Sequence, residues 1–227
     1  MKKIAHNRTA RIILILVLLS LAASYFSLSI SARSAREFAS DYAINWTAAK
    51  ALTRGVSVYD NEAMRRLALE QVGDDRMRGL FSSTYSSFIG LPSTALVYLP
   101  FTAFDFGYGL WVYRVTTGLA MAGSIWIASL ALPQEDRLDA ISLAAIILLT
   151  SSTTHSSMQL GQVDAWVMLG IGIAIWGASK GRWTIAGIGI AFAALLKISP
   201  LAIAIYLLMR GKWQAALSTA LSIALVF

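Results

Sequence analysis

The sequence predicts an all-α integral membrane protein, a polytopic helical bundle with small juxtamembrane helices in its first external loop. Three observations carry this. Hydrophobic residues make up 57 % of the 227 and charged residues only 14 %, with a mean hydropathy of +0.64; a soluble globular domain carries roughly 25 % charged residues. The apolar runs are long and lack period-two alternation, so helices rather than strands must satisfy the backbone. The formal charge is +7, and its positive residues sit at the ends of apolar runs. Lys2, Lys3, Arg8 and Arg11 precede the first run, Lys180 and Arg182 share one short loop, and Arg210 and Lys212 share another. That is positive-inside patterning. It points to membrane lipids as surroundings and not to nucleic acid as a partner.

Residues 1–30 read as a basic cytoplasmic amino terminus followed by a first transmembrane helix over about 11–30. The start resembles a signal peptide, but the apolar run is longer than a typical signal core and no cleavage site follows it. Residues 31–90 form the one long polar segment and read as an extracytoplasmic loop. Within it, 36–54 reads as a short helix. A second helix, over 61–71, is capped by Asp60 or Asn61 and ended by Gly73-Asp74-Asp75. Residues 91–227 read as a transmembrane bundle. Pro92 opens a run over 91–104, and further runs follow at 109–131, 139–153, 163–178, 184–196, 200–209 and 214–227. Several are shorter than the ~17 residues an upright span needs, so tilted or re-entrant segments are expected. Simple alternation from the first helix leaves Lys180 on the wrong side. One short run, 91–104 or 139–153, is therefore expected not to cross. The sequence stops at Phe227 inside an apolar run and reads as the amino-terminal part of something longer.

The chain has no cysteine and two histidines, His6 and His155. Disulfides, thiolate metal sites, a cysteine nucleophile and a histidine-rich metal centre are excluded. No metal and no cofactor are expected.

The residues that could carry chemistry gather near the polar segment and the run ends. On a helix, Phe38, Asp41, Asn45, Ala48 and Leu52 share one face. That places a carboxylate and an amide together at the membrane surface, where a carboxylate can serve as general base to a hydroxyl. The plainer account of Asp41 is a helix-start aspartate favoured by the macrodipole. Tyr59 and Asp60 have plain accounts too, an interfacial tyrosine and a helix cap. Lys197 is less ordinary. It stands between apolar residues just before Ser199-Pro200, where an ammonium needs a partner or an interface and where proline breaks the helix. A lysine there can hold a phosphate or snorkel to the interface. Gln162 and Asp164 begin the helix that descends to Lys180, and Gln162 can bind a sugar hydroxyl or cap that helix. By sidedness, Asp41, Gln162 and Lys197 converge on the extracytoplasmic face.

Several stretches resemble glycosyltransferase family 87, membrane enzymes of the GT-C superfamily that include polyprenol-phosphate-mannose-dependent mannosyltransferases. They are Asp41…Trp46…Ala49-Lys50-Ala51-Leu52…Gly55…Val58-Tyr59-Asp60, then Tyr85…Pro92…Tyr98-Leu99-Pro100 with Trp111, then Leu160-Gly161-Gln162-Val163-Asp164, and Ala194-Leu195-Leu196-Lys197-Ile198-Ser199-Pro200. The resemblance covers about residues 35–213. It implies a GT-C fold in the cytoplasmic (inner) membrane, multi-pass, with the active site on the extracytoplasmic face. The implied donor is a polyprenyl-phosphate sugar, a hexose and foremost mannose, with a pentose such as arabinose as the alternative within the class. The implied reaction is inverting transfer to a lipid-linked or glycan acceptor, with Asp41 as catalytic base. The candidate substrate contacts are Asn45, Tyr59, Asp60, Gln162 and Lys197, with Lys197 assigned to the donor phosphate.

The rival from another class is a non-catalytic membrane protein, either a transporter or an inactive truncated relic. A transporter is expected to carry ionisable residues and broken helices at mid-membrane in repeated halves. The chain has no internal repeat, and its candidates lie near one face. Both points favour the enzyme.

Overall fold

The computed structural model describes residues 2–34, 39–72, 88 and 90–226. Phe38, Gly73-Asp74-Asp75 and Tyr85 lie outside the described residues. Among those described, every regular element is a helix. In order these are α1 (Lys2–Ser34), α2 (Ser40–Thr53), α3 (Asn61–Val72), α4 (Pro92–Tyr98) with a 3₁₀ turn (Leu99–Ala103), α5 (Phe106–Ser129), α6 (Gln134–Thr150), α7 (Ser152–Leu160), α8 (Asp164–Ser179), α9 (Trp183–Leu196), α10 (Leu201–Met209) and α11 (Trp213–Ala224).

The long helices pack as a series of neighbours: α1 on α6, α6 on α5, α5 on α8, α8 on α9, and α9 on α11. Small residues set the tightest seams. A Cβ at Gly170 would lie 2.7 Å from the Gly189 carbonyl oxygen, and one at Gly189 would lie 2.5 Å from that of Gly170. The α8 and α9 backbones therefore touch, as glycine interfaces permit. Hydroxyls tie neighbouring helices: Ser124 Oγ donates to the Met168 carbonyl at 2.6 Å, and Ser218 Oγ to the Thr184 carbonyl at 2.8 Å. At the α1 seam, His155 Nε2 lies 2.8 Å from the Leu149 carbonyl. A carbonyl only accepts, so that nitrogen carries the hydrogen. The imidazole also packs on Tyr25 and Phe26.

The short helices α2, α3 and α4 pack over one end of this series. Their apolar faces (Tyr42, Trp46, Met64, Ala68 and Tyr98) merge with Tyr113, Val163, Val167 and Leu196 into one buried cluster. Trp46 Nε1 donates to the Phe101 carbonyl at 3.2 Å, which anchors α2 to the 3₁₀ turn.

Most helix limits fall within a few residues of the sequence reading, and one feature differs from it. The polar stretch after Ser151 forms a helix of its own, α7. Ser151 caps it, accepting from the Thr154 N–H at 3.5 Å, and Gly161 closes it. The 91–104 run, read as separate from 109–131, forms α4 and the 3₁₀ turn. Pro92–Ala103 meets α5 at a bend of 118°, because Asp105 stops the 3₁₀ turn and caps α5, its Oδ1 accepting from the Tyr108 N–H at 2.9 Å.

Among the described residues no single helix is long and apolar enough to cross a membrane. Two bent pairs meet that test jointly: Pro92–Ala103 with α5, and α6 with α7, which meet at 67°. The long helices still turn large apolar side chains outward, including Leu119, Leu143, Ile147, Ile205 and Leu221. An apolar exterior of that kind is consistent with contact to a membrane or to another protein.

Candidate active site

Where α2, α4, α8 and α9 meet, a cleft of about 880 Å³ opens. Asp41 stands in the first turn of α2. Its Oδ2 accepts from Gln162 Nε2 at 2.6 Å, and its Oδ1 from Ser40 Oγ at 3.3 Å. The carboxylate is thus oriented by an amide 121 residues away, and Asp41 lines the cleft.

Gln162 is held by the turn that carries it. Gly161 adopts φ +76° as the left-handed closure of α7, and the N–H groups of Gly161 and Gln162 both return to the Ser157 carbonyl. Two buried tyrosines hold the outward carbonyls: Tyr98 donates to that of Gly161 at 2.7 Å, and Tyr113 to that of Gln162 at 2.8 Å. Their rings stack at 4.8 Å, and Tyr42 packs on both. Burial, and after it the neighbouring Tyr113 and Asp105, push the Tyr42 phenol well above its ordinary range, so it stays neutral.

Lys197 follows the last turn of α9, on backbone that has become extended ahead of Ser199-Pro200. The open carbonyls at that helix end are satisfied from α4: Ser93 Oγ donates to Leu195 at 2.6 Å and Thr94 Oγ1 to Leu196 at 3.0 Å. This exchange fixes the α4 start beside Lys197 and supplies donors to carbonyls that the helix end leaves open. Lys197 Nζ donates to Asp164 Oδ1 in an ion pair. Ser157 Oγ donates to Asp164 Oδ2 at 3.0 Å.

The cleft brings together five of the six residues singled out from the sequence: Asp41, Asn45, Tyr59, Gln162 and Lys197. Asn45 spends its Nδ2 on the Asp41 backbone carbonyl at 2.7 Å, one turn back along α2. Tyr59 donates to the Gly90 carbonyl at 3.1 Å, closing the cleft edge. Asp60 does not line the cleft. It caps α3, its Oδ1 accepting from the N–H groups of Glu62 and Ala63. Ile44, Leu91 and Leu196 supply apolar wall. A carboxylate, an amide, a lysine and an apolar wall in one cleft suit a substrate with a hydroxyl, an anion and a hydrocarbon part. Among the described residues no group of acidic or histidine side chains is arranged to hold a metal ion.

The model of glycosyltransferase family 87 matches residues 88–227. The chain belongs to glycosyltransferase family 87. No curated protein and no solved structure matches it. Gln162 and Lys197 fall within the family match, whereas Asp41 and the run to Asp60 precede it. What ties Asp41 to the family segment is its hydrogen bond to Gln162.

In this glycosyltransferase the sequence reading left out the supports: Tyr98 and Tyr113 as carbonyl clamps, and Asp164 as the partner of Lys197. The second was discoverable, because Asp164 is the only acidic residue after Asp139 and a lysine among apolar residues calls for one. The clamp had no such signal, since tyrosine near a membrane surface needs no special account. Tyr98→Phe removes one buried hydrogen bond and leaves the Gly161 carbonyl without it. A loss of about 1–2 kcal/mol in stability is expected, measured as a lowered thermal midpoint in detergent with the oligomeric profile unchanged.

Proposed function

We propose that this family 87 protein is a multi-pass enzyme of the cytoplasmic membrane. It transfers a hexose, foremost mannose, from a polyprenyl-phosphate donor to a hydroxyl of a lipid-linked or glycan acceptor, with inversion. The observation that carries the reading is the cleft itself, in which the Gln162-oriented Asp41 carboxylate and the Lys197 ammonium share one space with an apolar wall.

An inverting displacement brings the acceptor oxygen to the anomeric carbon from the face opposite the leaving group, with a base on the attacking hydroxyl. Asp41 takes that proton as the new bond forms. The carbon–oxygen bond to the lipid phosphate breaks with its electron pair passing to phosphate oxygen. The leaving group needs a cation and hydrogen-bond donors rather than a proton, and Lys197 offers both. Gln162 keeps the Asp41 carboxylate pointed at the acceptor.

The bend at Asp105 supports the membrane reading. If Pro92–Ala103 dips in and returns without crossing, α1, α5, α6 and α8 alternate across the bilayer. Lys180 and Arg182 then lie on the same side as the basic amino terminus, as positive-inside requires. The α9 end with Lys197 emerges on the side of Asp41, which is the extracytoplasmic face.

The test is transfer of labelled sugar from polyprenyl-phosphate mannose in membranes containing the protein. Lys197→Ala is expected to lower transfer at least ~10-fold and to weaken donor binding, because it removes a charge-assisted contact to phosphate. Wild-type donor affinity in that variant would remove the phosphate role from Lys197. Transfer from a pentose donor in place of mannose would shift the substrate and leave the mechanism.

A further inference from the structure

We propose that Asp164 is a positioning residue that shares Lys197 with the lipid phosphate and so keeps the cleft from holding its product too tightly. The inference rests on the assignment of Lys197 to the phosphate. Lys197 has three N–H donors, one of them committed to Asp164 Oδ1. The carboxylate is itself fixed, for Ser157, almost fully buried, donates to its second oxygen at 3.0 Å. Asp164 is the first residue of α8, where the helix dipole favours a negative charge. It stands behind Lys197 and is not part of the cleft lining. The lysine is on extended backbone and about half exposed, and among the described residues its ammonium has no second hydrogen-bonded anchor. Asp164 holds the ammonium of this cleft-lining residue and leaves two of its donors uncommitted.

The consequence follows from charge. The donor is a phosphodiester with a single negative charge. When the anomeric carbon–oxygen bond breaks, the phosphate keeps the electron pair and becomes a monoester of about −1.5 to −2 near neutral pH. An unpaired lysine would reward that extra charge and bind product more tightly than substrate, which opposes turnover. With Asp164 beside it, the local charge is close to balanced. The two free donors still orient the phosphate, and the carboxylate repels the charge that appears at the product stage.

The experiment uses the full chain in lipid nanodiscs and two probes, a radiolabelled polyprenyl phosphate and its methyl diester. The readout is the ratio of monoester to diester affinity. Asp164→Asn is expected to raise that ratio about two- to fivefold, the upper part of the range for one partly exposed charge pair, with diester affinity nearly unchanged. In transfer assays kcat and KM are expected to fall together as release slows. Equal weakening of both probes, or an unchanged ratio, would overturn the proposal and make Asp164 a structural partner only. Lys197→Ala separates the layers: if it weakens neither probe, the phosphate assignment itself is wrong. Should Asp164→Asn not survive extraction, Asp164→Ser, which also removes the charge, reads the same ratio.

Discussion

Asp41→Asn is expected to lower sugar transfer by about 10²–10⁴-fold, the usual contribution of a positioned general base. The substitution is nearly isosteric. An asparagine carbonyl oxygen can still accept from Gln162 Nε2, so the contact that joins α2 to the Gly161–Gln162 turn is retained. What disappears is the capacity to take a proton from the acceptor hydroxyl. The loss should therefore fall on kcat, with donor affinity and the thermal midpoint close to wild type. Gln162→Ala is the complementary change. It leaves the base in place but lets the carboxylate rotate, so a smaller loss in kcat is expected. The measurement is initial-rate transfer at saturating donor, with a binding assay on the same preparation. Transfer by Asp41→Asn within a fewfold of wild type would mean that the base is another group.

The helices were largely legible because their signals are local. Apolar runs, Pro92, Pro200 and the polar breaks at Lys180 and Arg210 place α4 and α8 to α11 within a few residues of where they lie. Asp60 as a cap for α3 was equally open to view. The helix α7 was not, because its composition conceals it. Ser, Thr and His fill 152–157, and none is a strong helix former. They are helical here because Ser151 and Gly161 cap the segment and because α1 and neighbouring helices bury Thr154, His155, Ser157 and Gln159. Tertiary packing overrode propensity.

Sidedness reads Asp41, Gln162 and Lys197 onto one face, and in the fold the three line one cleft. No spacing rule could pair Asp41 with Gln162 or a tyrosine hydroxyl with the Gly161 carbonyl. Those contacts join segments far apart in sequence and exist only once α2 has settled over the ends of α5 and α8. The Asp105 turn belongs to the same class. It sets Pro92–Ala103 at 118° to α5, an angle that the separate runs 91–104 and 109–131 do not signal.

Gly161→Ala carries the largest expected effect on stability. A Cβ at this position would come to 2.5 Å from Tyr42 Cβ and 3.3 Å from the Tyr42 backbone nitrogen. Neither is the tip of a flexible side chain, so α2 or the turn must move. The left-handed backbone adds roughly 1–2 kcal/mol for any residue with a Cβ. The turn cannot yield cheaply, because Tyr98 and Tyr113 grip its carbonyls and Gln162 N–H is bonded back to Ser157. A total loss of about 3–5 kcal/mol is expected, in the range of severe core overpacking combined with backbone strain. Gly55 provides the control. Its φ is +66°, yet nothing lies within 4 Å of a Cβ built there, so Gly55→Ala should cost only the backbone share of roughly 1–2 kcal/mol. Side by side in detergent melts, Gly161→Ala is expected to lose more stability than Gly55→Ala. It should also lose transfer even below its melting temperature, because a shifted Gln162 no longer orients Asp41. Equal melting of the two variants would show that α2 can slide off the turn at little cost, and the fixed Gln162–Asp41 pair would then no longer account for how the carboxylate is aimed.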